Sequence, residues 1–240
     1  LNPEFCDRLR GGSRRLNSDG TAAENTNTSY GVQTFNQDGV TLGSLDGSGG
    51  WDMSTDQYRS WFFRRYPGVF DVVAYTGTGA AHTEAHSLGA VPELMIVKAR
   101  NSAGTTNWGV YNKSIAVTSV LLLNSTIAEA TSQSGYFNGT APTASVFSVG
   151  TDSDTNANTT TYVAYLFATL AGISKVGSYT GNGTSQTIAC GFTAGARFVL
   201  IKCTSAVGDW FVWDTVRGIV AATDPHLSLN TTVAEVTNDD

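Results

Sequence analysis

Leu94-Met95-Ile96-Val97-Lys98 returns about 104 residues later as Phe198-Val199-Leu200-Ile201-Lys202, and the fold follows from that echo. A short apolar run bounded by turn residues reads as a buried strand, and a run that recurs with its neighbours reads as a repeated unit. The neighbours do recur. Tyr75-Thr76-Gly77-Thr78-Gly79 returns as Tyr179-Thr180-Gly181-Asn182-Gly183, and Trp108-Gly109-Val110-Tyr111 as Trp210-Phe211-Val212-Trp213. Leu123-Asn124-Ser125-Thr126-Ile127-Ala128-Glu129-Ala130-Thr131 returns as Leu229-Asn230-Thr231-Thr232-Val233-Ala234-Glu235-Val236-Thr237. Residues 68–171 therefore form one complete copy, and 172–240 a second, C-terminally incomplete one. What recurs is packing and turn residues rather than a catalytic set.

The register extends the pattern backwards. Copy one closes with Ser145-Val146-Phe147-Ser148-Val149-Gly150, a polar turn, and Thr161-Tyr162-Val163-Ala164-Tyr165-Leu166-Phe167-Ala168. A similar ending precedes it: Asp38-Gly39-Val40-Thr41-Leu42-Gly43, a loop with Asp46 and Gly47-Ser48-Gly49-Gly50, then Gln57-Tyr58-Arg59-Ser60-Trp61-Phe62-Phe63-Arg64. Residues 39–67 thus read as the closing strands of an upstream copy, and the chain as a window on a longer multi-repeat polypeptide. Residues 1–38 read as a polar, basic segment of unassigned role. Its cluster of Arg8, Arg10, Arg14 and Arg15 suits a solvated arm or a docking segment.

Seven strands are expected per copy: Phe70 to Tyr75, His82 to His86, Leu94 to Ala99, Trp108 to Tyr111, Val120 to Leu123, Val146 to Val149 and Tyr162 to Phe167. Between them lie Gly-, Asn- and Asp-rich turn formers that accept positive φ or bond to local backbone. No long 3.6-residue apolar period occurs, and Ile127 to Thr131 could manage one helical turn. The fold class expected is all-β: tandem antiparallel β-sandwich or jelly-roll-like domains. Tyr162, Ala164 and Leu166 alternate with Val163, Tyr165 and Phe167, so both faces of that strand are apolar and it should lie centrally.

Composition bounds the function. Gly, Ser, Thr and Asn make up about 40% of the 240 residues, and charged residues 14%. A net charge of −6 argues against broad nucleic-acid binding, which needs a basic surface. No apolar run reaches the 18 or so residues of a helical membrane span. Cys190 aligns with His86 and Cys203 with Ala99, so the fold does not require bridges there and Cys6, Cys190 and Cys203 read as free thiols. Seven Asn-x-Ser/Thr triplets fit chance in so polar a sequence better than glycosylation.

Candidate sites compete with simpler readings. His82, Glu84 and His86 would share one strand face and could ligate a metal, but their equivalents are Gln186, Ile188 and Cys190, so a polar strand face is preferred. Asp152, Asp154, Asn156 and Asn158 resemble a calcium loop without its closing Glu; a solvated hairpin loop is preferred. Asp71, Glu84, Glu93 and Glu129 are scattered, and of these only Glu129 is matched by an acid, Glu235. Trp108 with Tyr111, and Trp210 with Trp213, stand three apart, so one member can sit in the core while the other meets a sugar ring or a partner, but aromatics in β domains are more often core and that reading is preferred. No catalytic, cofactor-binding or metal residue is assigned. Trp61, Phe62 and Phe63 with Arg64 and Arg65 are the candidate chain interface, an aromatic centre with an arginine rim.

Several motifs together resemble a family of tandem β domains in virion proteins of tailed bacteriophages of the marine and cyanophage type. They are Phe70-Asp71-Val72-Val73-Ala74-Tyr75-Thr76-Gly77, His86-Ser87-Leu88-Gly89-Ala90-Val91-Pro92, Met95 to Lys98, Trp108 to Tyr111, Ala141 to Gly150 and Tyr162 to Ala168. The resemblance covers about residues 39–240 and implies a structural, non-enzymatic protein without cofactor: a tail-fibre or similar appendage subunit, located on the virion and assembled in the host cytoplasm. It implies partners in other copies of the chain, with a trimer favoured, and in other virion proteins; neither nucleic acid nor membrane insertion is expected. The alternative is a carbohydrate-binding module for host-surface glycan, and a glycan-degrading tailspike ranks last because the repeated elements lack paired carboxylates.

Overall fold

The computed structural model describes residues 2–43, 57–102, 106–218 and 224–237. The loop with Asp46 and Gly47 to Gly50 and the last three residues lie outside these. The N-terminal region carries β1 (Glu4–Phe5), β2 (Arg14–Asn17), β3 (Asn25–Thr26), β4 (Val32–Phe35) and β5 (Val40–Leu42). Copy one carries β6 (Phe70–Thr76), β7 (His82–Ala85), β8 (Leu94–Ala99), β9 (Gly109–Asn112) and β10 (Leu121–Leu122), then the one-turn helix α1 (Ser134–Phe137) and β11 (Val146–Val149). It closes with α2 (Ser153–Asn156) and β12 (Thr161–Phe167). Copy two carries β13 (Phe198–Lys202), β14 (Trp210–Asp214) and β15 (Leu227–Ser228).

The protein is all-β with antiparallel sheets, and all seven strands expected in copy one form. Its main sheet runs β10-β9-β8-β12-β6, and β11 pairs with β7 in a second layer. β12 lies between β8 and β6, as its two apolar faces require. On one face Tyr162, Ala164 and Leu166 join Met95, Val97, Phe137, Phe147 and Val149 in the core between the two layers. On the other face Val163 and Tyr165 join Ile96 and Val110 in a core shared with the N-terminal region and copy two, through Leu16, Trp210, Val212 and Leu229. So copy one is covered on one face by its own second layer and on the other by its neighbours.

Residues 3–26 are a structural counterpart of 108–131, which the sequence concealed. Glu4 pairs with Asn17 and Phe5 with Leu16, as Gly109 pairs with Leu122 and Val110 with Leu121. Phe211 with Ser228 and Val212 with Leu227 repeat the arrangement in copy two. The closing bridge matches as well: Arg15 with Asn25, Val120 with Ala130, His226 with Val236. Three equivalent hairpins are therefore present among the described residues. Pro3 stands where the other two have Trp, and Ser18 where they have Leu, so the pattern had lost its recognisable side chains while keeping its backbone pairing.

Elsewhere the expected repeat is not realised as sheet. Residues 57–65 form no strand, although Gln57 to Arg64 read as a closing one. Copy two's counterparts of β6 and β7 also stay outside any sheet: Tyr75 is buried and Tyr179 is 50% exposed, so these two do not correspond in packing. The physical reason is shared. A strand persists only where a neighbouring edge takes up its backbone hydrogen bonds.

Candidate functional site

Two corresponding seams join the copies, and the chemistry-bearing side chains concentrate there. The Trp108 indole donates to the Asn17 carbonyl at 2.9 Å, and the Trp210 indole donates to the Leu122 carbonyl at the same distance. The Lys98 ammonium donates to the carbonyls of Thr21 and Thr106 at 3.0 and 2.6 Å; Lys202 donates to those of Thr126 and Gly208 at 2.9 and 2.5 Å. Backbone Glu24 bonds to the Arg100 carbonyl as backbone Glu129 bonds to that of Thr204. Each position in the second seam is the repeat counterpart of one in the first. A further bond, Ser18 Oγ to the Leu229 carbonyl at 2.6 Å, links the N-terminal region to copy two, so all three hairpins touch one another.

Within each copy an asparagine fixes the tryptophan. Asn124 accepts from the Trp108 backbone N–H at 2.9 Å and donates to the Asn107 side chain; Asn230 does the same for Trp210 and Asp209. Both members of the Trp108 and Tyr111 pair are buried, and Trp210 is buried with Trp213 half-buried. None of the four is exposed, which agrees with the core reading of these aromatics rather than with a sugar-stacking platform.

The first seam also holds a buried ionic network. Arg10, whose side chain is fully buried, donates to Asp7, to Glu24, to the Phe5 carbonyl and to the Tyr165 hydroxyl of β12. Glu24 further accepts from Arg14 and Arg100. The arginines that read as a solvated arm are thus divided: Arg10 and Arg15 are buried, and Arg14 keeps its exposure while pairing with Glu24. Each buried guanidinium is held by carboxylates that themselves lie in the fold, which spacing along the chain could not reveal.

These environments move proton affinities in opposite directions. Burial works to raise the Glu24 carboxyl, but hydrogen bonds from Arg100, Arg14 and Arg10 outweigh it and hold the pKa at about 2. Burial pushes Glu4 up to about 7 against the opposing pull of Arg15. Burial likewise lowers Lys98 to about 8. The signs fix a profile. The Glu24 contribution is full above its unfolded value of 4.5 and is lost as pH falls towards 2, whereas the Glu4 contribution is full below 4.5 and is lost as pH rises through 7. Urea midpoints measured from pH 2 to 8 are expected to peak near pH 4.5 to 5. Glu4→Gln should flatten the decline above the peak, and Glu24→Gln should lessen the fall below it, to which Glu93 and Asp214, also held low, contribute. A midpoint that climbs steadily from pH 4.5 to 7 would contradict the assignment.

The other sequence candidates fall as follows. His82 Nε2 meets Glu84 Oε1 at 2.8 Å, while His86 turns to the Thr143 carbonyl. Among the described residues no three of His, Cys, Asp or Glu gather where they could hold a metal. Cys6, Cys190 and Cys203 are free thiols. The Asp152 to Asn158 stretch is not a solvated loop: α2 forms there, capped by Asp152, and Asp154 is buried, accepting from Asn107 and the Tyr136 hydroxyl. Both carboxylates are taken up as hydrogen-bond acceptors inside the fold, Asp152 at the helix start and Asp154 beneath it.

The candidate interface is partly consumed inside the chain. Trp61 donates to Asp214 at 3.0 Å, meets Phe198 edge-on and stacks under Arg217, and Phe63 packs against Phe70, Phe167 and Phe198. Arg65 pairs with Asp71 at 2.5 Å. Phe62 is 71% and Phe63 48% exposed, and Arg64 and Arg65 are exposed as well. Among the described residues no helix is long and apolar enough to cross a membrane.

No curated protein and no solved structure matches the chain. A family model described as Domain of unknown function (DUF7483) matches residues 2–240, so the chain belongs to that family and the N-terminal hairpin lies inside its bounds.

Proposed function

We propose that this chain is a structural virion protein, a bacteriophage tail-fibre or similar appendage subunit whose β copies act as rigid spacer and interaction modules. One observation carries the reading: the residues that recur serve to join copies, and they do so twice with matching bonds, Trp108 and Lys98 in one seam, Trp210 and Lys202 in the next. Repetition devoted to packing suits a mechanical role, and the motif resemblance supplies the phage context. Trp108, Tyr111 and Trp210, which a glycan-binding reading would expose, are buried. That favours the structural reading over the carbohydrate-binding one. On this proposal the protein has no hydrolase activity and its partners are other copies of itself, three by the resemblance, and other virion proteins.

Self-association is expected to run through Phe62, a large apolar side chain left in solvent beside Arg64. Light scattering should give a homo-oligomer, and Phe62→Asp should raise its dissociation constant at least about tenfold, since a charge replaces an aromatic that association would bury. A monodisperse monomer before substitution would retire the assembly claim. Turnover of host surface polysaccharide, abolished by one carboxylate substitution, would retire the non-enzyme claim, and a density map of the particle lacking this protein would retire the virion assignment.

A further inference from the structure

β8 and β13 are repeat counterparts with different surroundings. β8 has β9 on one edge and β12 on the other, and its side chains Met95, Val97 and Ala99 are fully buried. β13 has β14 on one edge, and among the described residues no strand pairs with its other edge. The counterpart side chains Val199 and Ile201 are half-buried and Cys203 is exposed. With Trp213 and Asp224, Val199 and Ile201 line a shallow depression that is mostly apolar. An open edge beside partly exposed aliphatic side chains is a template for strand addition.

Copy one shows what such an edge accepts. On β8, Tyr162 stands opposite Ala99, Val163 opposite Lys98, Ala164 opposite Val97, Tyr165 opposite Ile96 and Leu166 opposite Met95. Transferred to β13, the same antiparallel register sets these positions against Cys203, Lys202, Ile201, Leu200 and Val199. The occupant is therefore an extended strand, apolar on both faces and uncharged opposite Lys202. The chain's own Gln57 to Arg64 segment fits poorly, because Arg59 would take the Val163 position and face Lys202, and like charges directly opposite destabilise a pair. Its Trp61 is also engaged with Asp214 and Arg217 across the end of β13 and β14.

We propose that the free edge of β13 is a strand-docking site that receives, antiparallel, one strand with the chemistry of Thr161–Phe167 carried by another repeat copy. This deepens the interaction-module reading and rests on it only for the identity of the donor. The test uses the 240-residue chain and a synthetic peptide of residues 160–169 carrying Tyr162→Cys as an activated disulfide. The register places that cysteine opposite Cys203. Mass mapping should show the peptide joined to Cys203 at least about tenfold faster than to Cys190 or Cys6, and at least about tenfold faster than a scrambled peptide, because docking raises the effective concentration at one thiol alone. Amide exchange across Phe198–Lys202 should slow with the unmodified peptide. Equal reaction at Cys190 and Cys203, or no advantage over the scrambled sequence, would overturn the proposal. So would an intrachain disulfide between Cys203 and a Tyr58→Cys variant without peptide, since the chain's own segment would then hold the edge. A particle map lacking the protein would retire the virion assignment and leave this result standing.

Discussion

Arg10→Met is expected to lose about 3–5 kcal/mol of folding stability, the range for breaking a buried charge network by removing one partner. The Arg10 side chain is fully buried and bonds at once to Asp7, Glu24, the Phe5 carbonyl and the Tyr165 hydroxyl. Methionine fills much of the volume, so the loss reports the bonds rather than a cavity. Glu24 keeps Arg14 and Arg100, and Asp7 keeps the Tyr165 hydroxyl, but both carboxylates stay buried with fewer donors. Because Tyr165 lies on β12 and Arg10 in the N-terminal region, the substitution should loosen the first seam specifically. Amide exchange should accelerate in residues 4–17 before it does in β6. Arg10→Lys should restore only part of the loss, since a single ammonium cannot reproduce the planar fork of donors. A urea midpoint unchanged by Arg10→Met would refute the claim that this network holds the seam.

Trp108→Ala and Trp210→Ala are each expected to cost about 3–5 kcal/mol, the usual range for truncating a buried aromatic. Trp108 is 0% and Trp210 3% exposed, and each donates its indole N–H across a seam to the same repeat position, Asn17 in one case and Leu122 in the other. Beyond the cavity, each truncation strips a carbonyl of its donor. Trp108 also packs its ring against Phe5 at 5.0 Å between centroids, which adds to its share. If the two seams are one interaction used twice, the two losses should agree within about 1 kcal/mol, with Trp108→Ala the larger. Equilibrium unfolding in urea reads both. A Trp210→Ala loss below about 1 kcal/mol would show that copy two is not docked through its tryptophan.

The parts of the site legible in the sequence were those that recur as recognisable side chains. Trp108 and Trp210, Lys98 and Lys202, Asn124 and Asn230 all align by inspection. The ionic half of the first seam was not legible, because Arg10 and Asp7 have no charged repeat counterparts and meet Tyr165 from more than 150 residues away. Asp152 and Asp154 looked like loop carboxylates for the same reason: the groups that bury Asp154, Asn107 and Tyr136, are distant in sequence.

Sequence by itself determined the seven strands of copy one, the central place of β12 and the repeat from copy one to copy two. Alternation, apolar runs and turn residues are local properties, and each is written in a few consecutive side chains. Only the tertiary structure decided that residues 3–26 form a third hairpin, that Gln57 to Arg64 lie outside any sheet and that β13 has, among the described residues, an edge that no strand pairs. Strand pairing is made by backbone groups common to every residue type: Pro3 and Ser18 keep the ladder where the other two hairpins have Trp and Leu, while a strand-like sequence whose side chains do not suit the neighbouring edge stays unpaired.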